Sequence, residues 1–347
     1  MASSSSSPPL PVPRFSLALL LPVVLLLLLR GEGVVEARPP PPLHGVRPLA
    51  FEEGYNQIFG SGNLALRRNG RRVRLSLDES TGAGFASQDL FLHGFFSSAI
   101  KLPADYAAGV VVAFYLSNGD VYEKTHDELD FEFLGNVRGR EWRVQTNVYG
   151  NGSTHAGKEE RYDLPFDPTD DFHHYSILWT QERIIFYVDE TPIREVVRTA
   201  AMGAAFPSKP MSLYATIWDG SAWATLGGRY RVNYKYAPFV AEFADLVLQG
   251  CPVDPTDHST TAAACDASGS LESLALSAEQ RAAMAAFRRG HMSYSYCHDR
   301  RRYPVALSEC DAVEGLLSGR MFGPDGMKQH RRHRGAARGH RAQDDLM

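Results

Sequence analysis

The sequence predicts an all-β sandwich or barrel, followed by a small, partly helical extension that carries all four cysteines. Three observations point there. From about residue 50 to 243, short apolar or alternating runs recur, among them 73–77, 109–116, 128–134, 142–149, 184–188 and 211–218. Turn formers such as Ser117-Asn118-Gly119-Asp120 and Asn151-Gly152 separate them, the spacing of a sandwich or barrel. Past Cys251 the texture changes. Ser277-Ala-Glu-Gln opens a capping box and Ala282, Ala283, Ala285 and Ala286 follow, so residues 270–289 read as a helix.

The ends read differently from this core. Residues 1–37 hold an apolar run from 15 to 29, broken by Pro22 and closed by Val35-Glu36-Ala37. A spanning helix needs roughly 20 residues, so the segment reads as a secretory signal peptide, with no membrane association after its removal. Residues 38–50 form a proline-rich linker, 51–243 the β domain, 244–322 the extension, and 323–347 a basic tail with too few apolar residues to fold. The remainder after the leader is long enough for one large domain and an appendage. A formal net charge of −4 argues against a nucleic-acid partner.

In a secreted chain the cysteines suggest two disulfides. Three pairings are open, and proximity alone favours Cys251–Cys265 with Cys297–Cys310. No CxxC pair supports zinc, and no metal or other cofactor is expected. The sequon Asn151-Gly152-Ser153 fits the same secretory route.

The informative segment is His126-Asp-Glu-Leu-Asp-Phe-Glu-Phe-Leu134. Successive strand side chains alternate faces, so Glu128, Asp130 and Glu132 share one face with His126, while Leu129, Phe131 and Phe133 share the other. Like charges about 6.6 Å apart along a strand repel, and crowding raises the pKa of at least one acid. A glycosidase needs that split: one carboxyl to protonate the leaving oxygen, another to attack the anomeric carbon. Retaining enzymes hold the pair about 5–5.5 Å apart, whereas Glu128 and Glu132 lie roughly 13 Å apart along an ideal strand and must lean together. Two other readings stand beside catalysis. The acids could hold a hard cation, although no Asp-x-Asp-x-Asp-Gly loop is present, or face water on an edge strand.

His-Asp-Glu-Leu-Asp-Phe-Glu-Phe-Leu-Gly resembles the active-site strand of the plant xyloglucan endotransglucosylase/hydrolases of glycoside hydrolase family sixteen. The resemblance runs over roughly residues 51–310, through Val144-Gln-Thr-Asn-Val-Tyr149, Phe166-Asp-Pro-Thr169, Trp223-Ala-Thr-x-Gly-Gly228 and Tyr296-Cys-x-Asp-x-x-Arg-Tyr-Pro304. It implies a curved β-jelly-roll with Glu128 as nucleophile, Glu132 as general acid/base and Asp130 between them. It also implies sugar contacts from Gln145, Thr146, Asn147, Lys158, Glu159, Trp218, Trp223, Gly227 and Arg302. The expected partners are a xyloglucan donor and a xyloglucan acceptor, met by a monomer in the cell wall or apoplast. Departures mark a divergent subgroup. Ala222 leaves no acid just before Trp223, Pro165 stands where Trp is usual, and the sequon falls at Asn151 rather than Asn136. The rival expectations are a glucan-binding lectin on the same sandwich and a hydrolase of another β-glucan.

Overall fold

The computed structural model describes residues 46–152, 157–254, 275–310 and 321–329. The expected signal peptide, most of the linker, Ser153, Cys265, residues 270–274 of the expected helix and the Arg/His-rich segment from residue 330 lie outside the described residues.

Alternating short runs produce two antiparallel sheets that pack as a β-jelly-roll sandwich. Numbered in chain order, the nine-stranded sheet runs β1 (Tyr55–Phe59), β4 (Ala83–Ser87), β13 (Ser212–Asp219), β6 (Val110–Ser117), β7 (Glu128–Leu134), β8 (Arg143–Tyr149), β9 (Glu160–Asp163), β15 (Met292–Asp299) and β16 (Asp325–Met327). The seven-stranded sheet runs β12 (Thr191–Val197), β11 (Arg183–Val188), β10 (His173–Trp179), β5 (Leu90–Lys101), β14 (Phe239–Val253), β3 (Arg72–Leu77) and β2 (Leu64–Arg67). The acid strand β7 is therefore central, flanked by four strands on either side, and the reading of it as a solvated edge does not hold. A four-residue helix α1 (Phe51–Gly54) leads into β1.

Alternation sends one set of side chains from each sheet into a shared core that includes Phe85, Phe114, Phe131, Phe133, Tyr175, Phe186 and Phe243. Phe131 and Phe133 meet Tyr175 edge-on at centroid distances of 5.6 and 4.6 Å, and Phe131 meets Phe186 at 5.3 Å. Each such pair adds about 0.5–1.5 kcal/mol beyond area burial. The strand that carries the acids is thus fixed from behind.

The extension departs from expectation in three places, the first at its start, where residues 244–253 belong to β14 of the sandwich. Residues 275–277 are not helical, and α2 runs Ala278–His291, starting where Ser277 Oγ accepts from Gln280 N and Gln280 Oε1 from Ser277 N. The capping box sets the start, since it satisfies donors that a helix beginning earlier would bury in its own ladder. Nor is the chain structureless from residue 323. Asp325–Met327 forms β16 against β15, Lys328 N donates to Ser293 O, and Lys328 Nζ reaches the carbonyls of Arg289 and Gly290 at the end of α2. Helix C-terminal carbonyls attract a cation, which the basic composition of the segment concealed. Cys297–Cys310 is bridged, and Cys251 is itself disulfide-bonded.

Candidate active site

Cross-strand register turns the acid strand into a two-dimensional array on the outer face of the nine-stranded sheet. Glu128 lies opposite Ser117 and Tyr149, Asp130 opposite Tyr115 and Asn147, and Glu132 opposite Ala113 and Gln145. Continuing outward, Gln145 faces Arg161, which faces Tyr294. On the other side Tyr115 stacks on Tyr214 with ring centroids 5.1 Å apart. Tyr115, Tyr149 and Tyr214 wall the carboxylates with aromatic surface, a role the sequence reading missed. The alternation of Phe114-Tyr115-Leu116 carries that signal.

The three acids are treated differently. Burial pushes Glu128 up, while donation from Ser117, the nearby His126 and a hydrogen bond from Asp130 pull it back; His126 Nε2 sits 4.0 Å from Glu128 Oε2. Asp130 is held well above the usual carboxylate range, by burial first and then by the charges of Glu128 and Glu132. Its hydrogen bond to Glu128 adds to that rise and lowers Glu128 in turn. Glu132 is raised to about 7, chiefly by burial and further by Glu128 and Glu159, against the lowering effects of Gln145 and Arg161. Gln145 Nε2 donates to Glu132 Oε2 at 2.5 Å, and Gln145 Oε1 accepts from Arg161 Nε at 2.7 Å. Near neutrality one terminal acid holds a proton and the other is surrounded by donors.

The expected sugar contacts separate into three groups. Gln145, Asn147 and Trp218 lie on the acid face by register. Asn147 is oriented by its own bonds, accepting from Val148 N and Lys158 N and donating to Tyr149 Oη at 2.6 Å. Trp218 and Trp223 are half-buried against Val111, Leu134 and Ala224, tilted 44° to one another at 6.0 Å. Gly227 is exposed in the turn closed by Thr225 and Tyr230, at φ +67°.

Glu159 and Arg302 meet each other. Arg302 Nη1 donates to Glu159 Oε2 at 2.6 Å and Nη2 to Gly157 O at 3.1 Å, so Arg302 is no free member of a solvated basic run.

Two side chains face the wrong way for a sugar. Thr146 is fully buried on the inner face, where its hydroxyl accepts from Arg194, because it alternates with Gln145 and Asn147. Lys158 buries its ammonium 2.6 Å from Glu309 Oε1 and offers the acid face only its backbone N–H.

Two charged groups support the array from outside it. Asp127, fully buried, accepts from the backbone of Asn151, Ser208 and Lys209 and from Lys209 Nζ, gathering three loops beside β7. Behind β8 and β9, Arg194 donates to Thr146 O and Lys158 O, and Glu160 takes two bonds of 2.7 Å from Arg288 of α2. A cavity of about 820 Å³ lies between residues 138–142 and 163–169, with Pro165 in its wall; none of the three acids lines it. Among the described residues, no group of three or more His, Cys, Asp or Glu is arranged to hold a metal ion.

Carboxylates held by unlike hydrogen-bond partners on the open face of a two-sheet sandwich define the class: the model described as glycosyl hydrolases family 16 matches residues 51–236. A second, described as the xyloglucan endo-transglycosylase C-terminus, matches residues 264–310. The probable xyloglucan endotransglucosylase/hydrolase proteins 28 and 27 of Arabidopsis thaliana are each 65% identical to the chain, over 76% and 75% of it and 79% and 78% of theirs. Probable protein 30 of the same plant is 56% identical over 82% of this chain and 86% of its own. The chain belongs to the xyloglucan endotransglucosylase/hydrolase family.

Proposed function

We propose that the outer face of β7 is the catalytic centre of a retaining xyloglucan transglycosylase that remodels the plant cell wall. Glu132 gives its proton to the glycosidic oxygen as Glu128 attacks the anomeric carbon. The bond to the leaving chain breaks and a glycosyl-enzyme ester forms. Glu132, now ionised, takes a proton from the incoming hydroxyl, which displaces Glu128 and restores both groups. An acceptor hydroxyl from another xyloglucan end re-joins the chain; water ends it. Asp130, protonated, lowers the charge density on Glu128 and orients it for attack.

The observation that carries this reading is the unequal treatment of Glu128 and Glu132: a proton retained to about pH 7 on one, hydrogen-bond donors gathered around the other. Two acids with different environments and different protonation are the signature of assigned acid and nucleophile roles. Xyloglucan as the substrate rests on the relatives' names. Secretion to the wall rests on the leader, the Asn151 sequon and the cystines, and no cofactor enters the chemistry.

The test offers xyloglucan with a labelled xyloglucan oligosaccharide and measures label entering polymer against new reducing ends. Label in polymer supports the reading. New ends alone make the protein a hydrolase, and binding with neither outcome makes it a lectin.

A further inference from the structure

One row of the outer face extends further than the acids require. Reading across strands at the level of Glu132, the residues are Phe59 on β1, Gly84 on β4, Thr216 on β13, Ala113 on β6 and then Glu132 on β7. Between the aromatic ring and the acid the side chains are a hydrogen, a threonine and a methyl. The row is a low floor with a ring at its far end.

Three features place that ring. A bulge between Gln57 and Phe59 leaves Ile58 unpaired and brings Phe59 opposite Gly84. In an unbroken register Ile58 would take that position and Phe59 would turn to the other face, so the bulge re-aims the side chain. Gly84 makes room for it: a Cβ there would lie 2.5 Å from Phe59 Cε1 and 3.0 Å from the Thr216 methyl. Yet Phe59 remains 40% exposed, although many phenylalanines of this chain are fully buried. A ring seated over a glycine and left open to water offers an apolar surface to a flat partner.

The geometry points to Phe59 as a stacking platform for a sugar ring of the bound glucan, at the end of the face away from Arg302. This rests on the proposed β-glucan substrate. From β1 to β7 is four strand steps, roughly 19 Å at the usual interstrand spacing. A 1,4-linked glucose unit is about as long as one such step. The ring stacked on Phe59 is therefore about four units from the bond that is cut. It meets the polymer backbone through the apolar C–H face of the pyranose, while Thr216 and Ala113 let the chain lie close to the sheet between them.

The experiment compares Phe59→Ala and Phe59→Leu with the wild-type chain. Binding by calorimetry and KM and kcat by turnover are measured over a length series of β-1,4-glucan and xyloglucan oligosaccharides. The expected result is a weakening of about five- to tenfold in Kd and KM for Phe59→Ala, the size of one lost ring contact. It is confined to ligands long enough to span about four units, and kcat on short substrates is unchanged. Phe59→Leu keeps the apolar cover over Gly84 but loses the flat ring, so it shows the same length-dependent loss with an unchanged melting temperature. An equal loss at all lengths, or none at any length, would overturn the platform while leaving the substrate reading intact. Wild-type protein that bound none of the series would overturn both.

Discussion

Glu132 sits at the centre of a small electrostatic balance, and its neighbours predict the pH profile. With Glu128 as base-form nucleophile and Glu132 as acid, kcat/KM is bell-shaped, and its alkaline limb falls near pH 7, where Glu132 loses its proton. Gln145 favours the ionised form by donating to it, so Gln145→Ala moves that limb to higher pH. Glu159 disfavours the ionised form by its charge, so Glu159→Gln moves the limb lower. Opposite displacements measured on the two variants support the assignment; a common direction contradicts it. Glu132→Ala should retain turnover of a substrate with an activated leaving group, which needs no acid, and gain rate from added azide, an anion that attacks the glycosyl-enzyme without a general base. Failure of azide to rescue a folded Glu132→Ala protein would remove Glu132 from the acid/base role. The same residue also affects folding. Its pKa is raised on folding, so the stability it permits is full below about 4.5 and declines as pH rises through about 7.

Strands and helices show where the sequence was readable. Alternation along β7 is a local property, and it placed the three acids on one face and Leu129, Phe131 and Phe133 on the other. The same alternation was available in β8, where it puts Thr146 inward, but the resemblance had grouped Thr146 with Gln145 and Asn147. Lys158 misled for another reason: its partner Glu309 is remote in the chain, and no local pattern announces a long-range ion pair. The Arg194–Glu160–Arg288 cluster was hidden likewise, since β9, β12 and α2 meet only in the folded molecule. Burial alone would push the Glu160 carboxyl up, but Arg288 and then Arg194 outweigh it and hold it at about 2. Such a depressed group stabilises the fold above about pH 4.5, and that contribution is lost as pH falls toward 2. Arg288→Leu leaves Glu160 buried without its bidentate partner and is expected to cost about 3–5 kcal/mol by chemical denaturation. A change under about 1 kcal/mol, the range of an exposed pair, would show that α2 is not held this way. Ser277→Ala, which removes only the helix cap, should cost about 1 kcal/mol.

Across the whole molecule, the two sheets divide the work. The seven-stranded sheet and the inner face of its partner make the core, and the outer face of the nine-stranded sheet carries the three acids. The extension joins that sheet rather than standing apart, because β15 and β16 continue it beyond β9 and Arg302 on the following turn reaches Glu159. Fold class was legible because it depends on many short local signals. The order of strands was not, since nothing local says that β13 pairs with β4 and β6, or that β1 brings Phe59 into line with Glu132. The Cys297–Cys310 bridge closes a span of 13 residues, and a loop of that size contributes about 3 kcal/mol in the chain-entropy account. Replacing both cysteines by serine should lower the unfolding midpoint by a corresponding amount. An unchanged midpoint would mean that the sheet pairing alone fixes this segment.

In the proposed reaction a sugar becomes covalently attached to Glu128. The direct measurement is to trap that species with a xyloglucan-oligosaccharide fluoride carrying fluorine at the ring carbon beside the anomeric centre, then locate the added mass by peptide sequencing. The expected result is one glycosyl unit per chain on Glu128 and none on Glu128→Gln. Attachment to Asp130 or Glu132, or turnover of natural substrate by a folded Glu128→Gln protein, would contradict it.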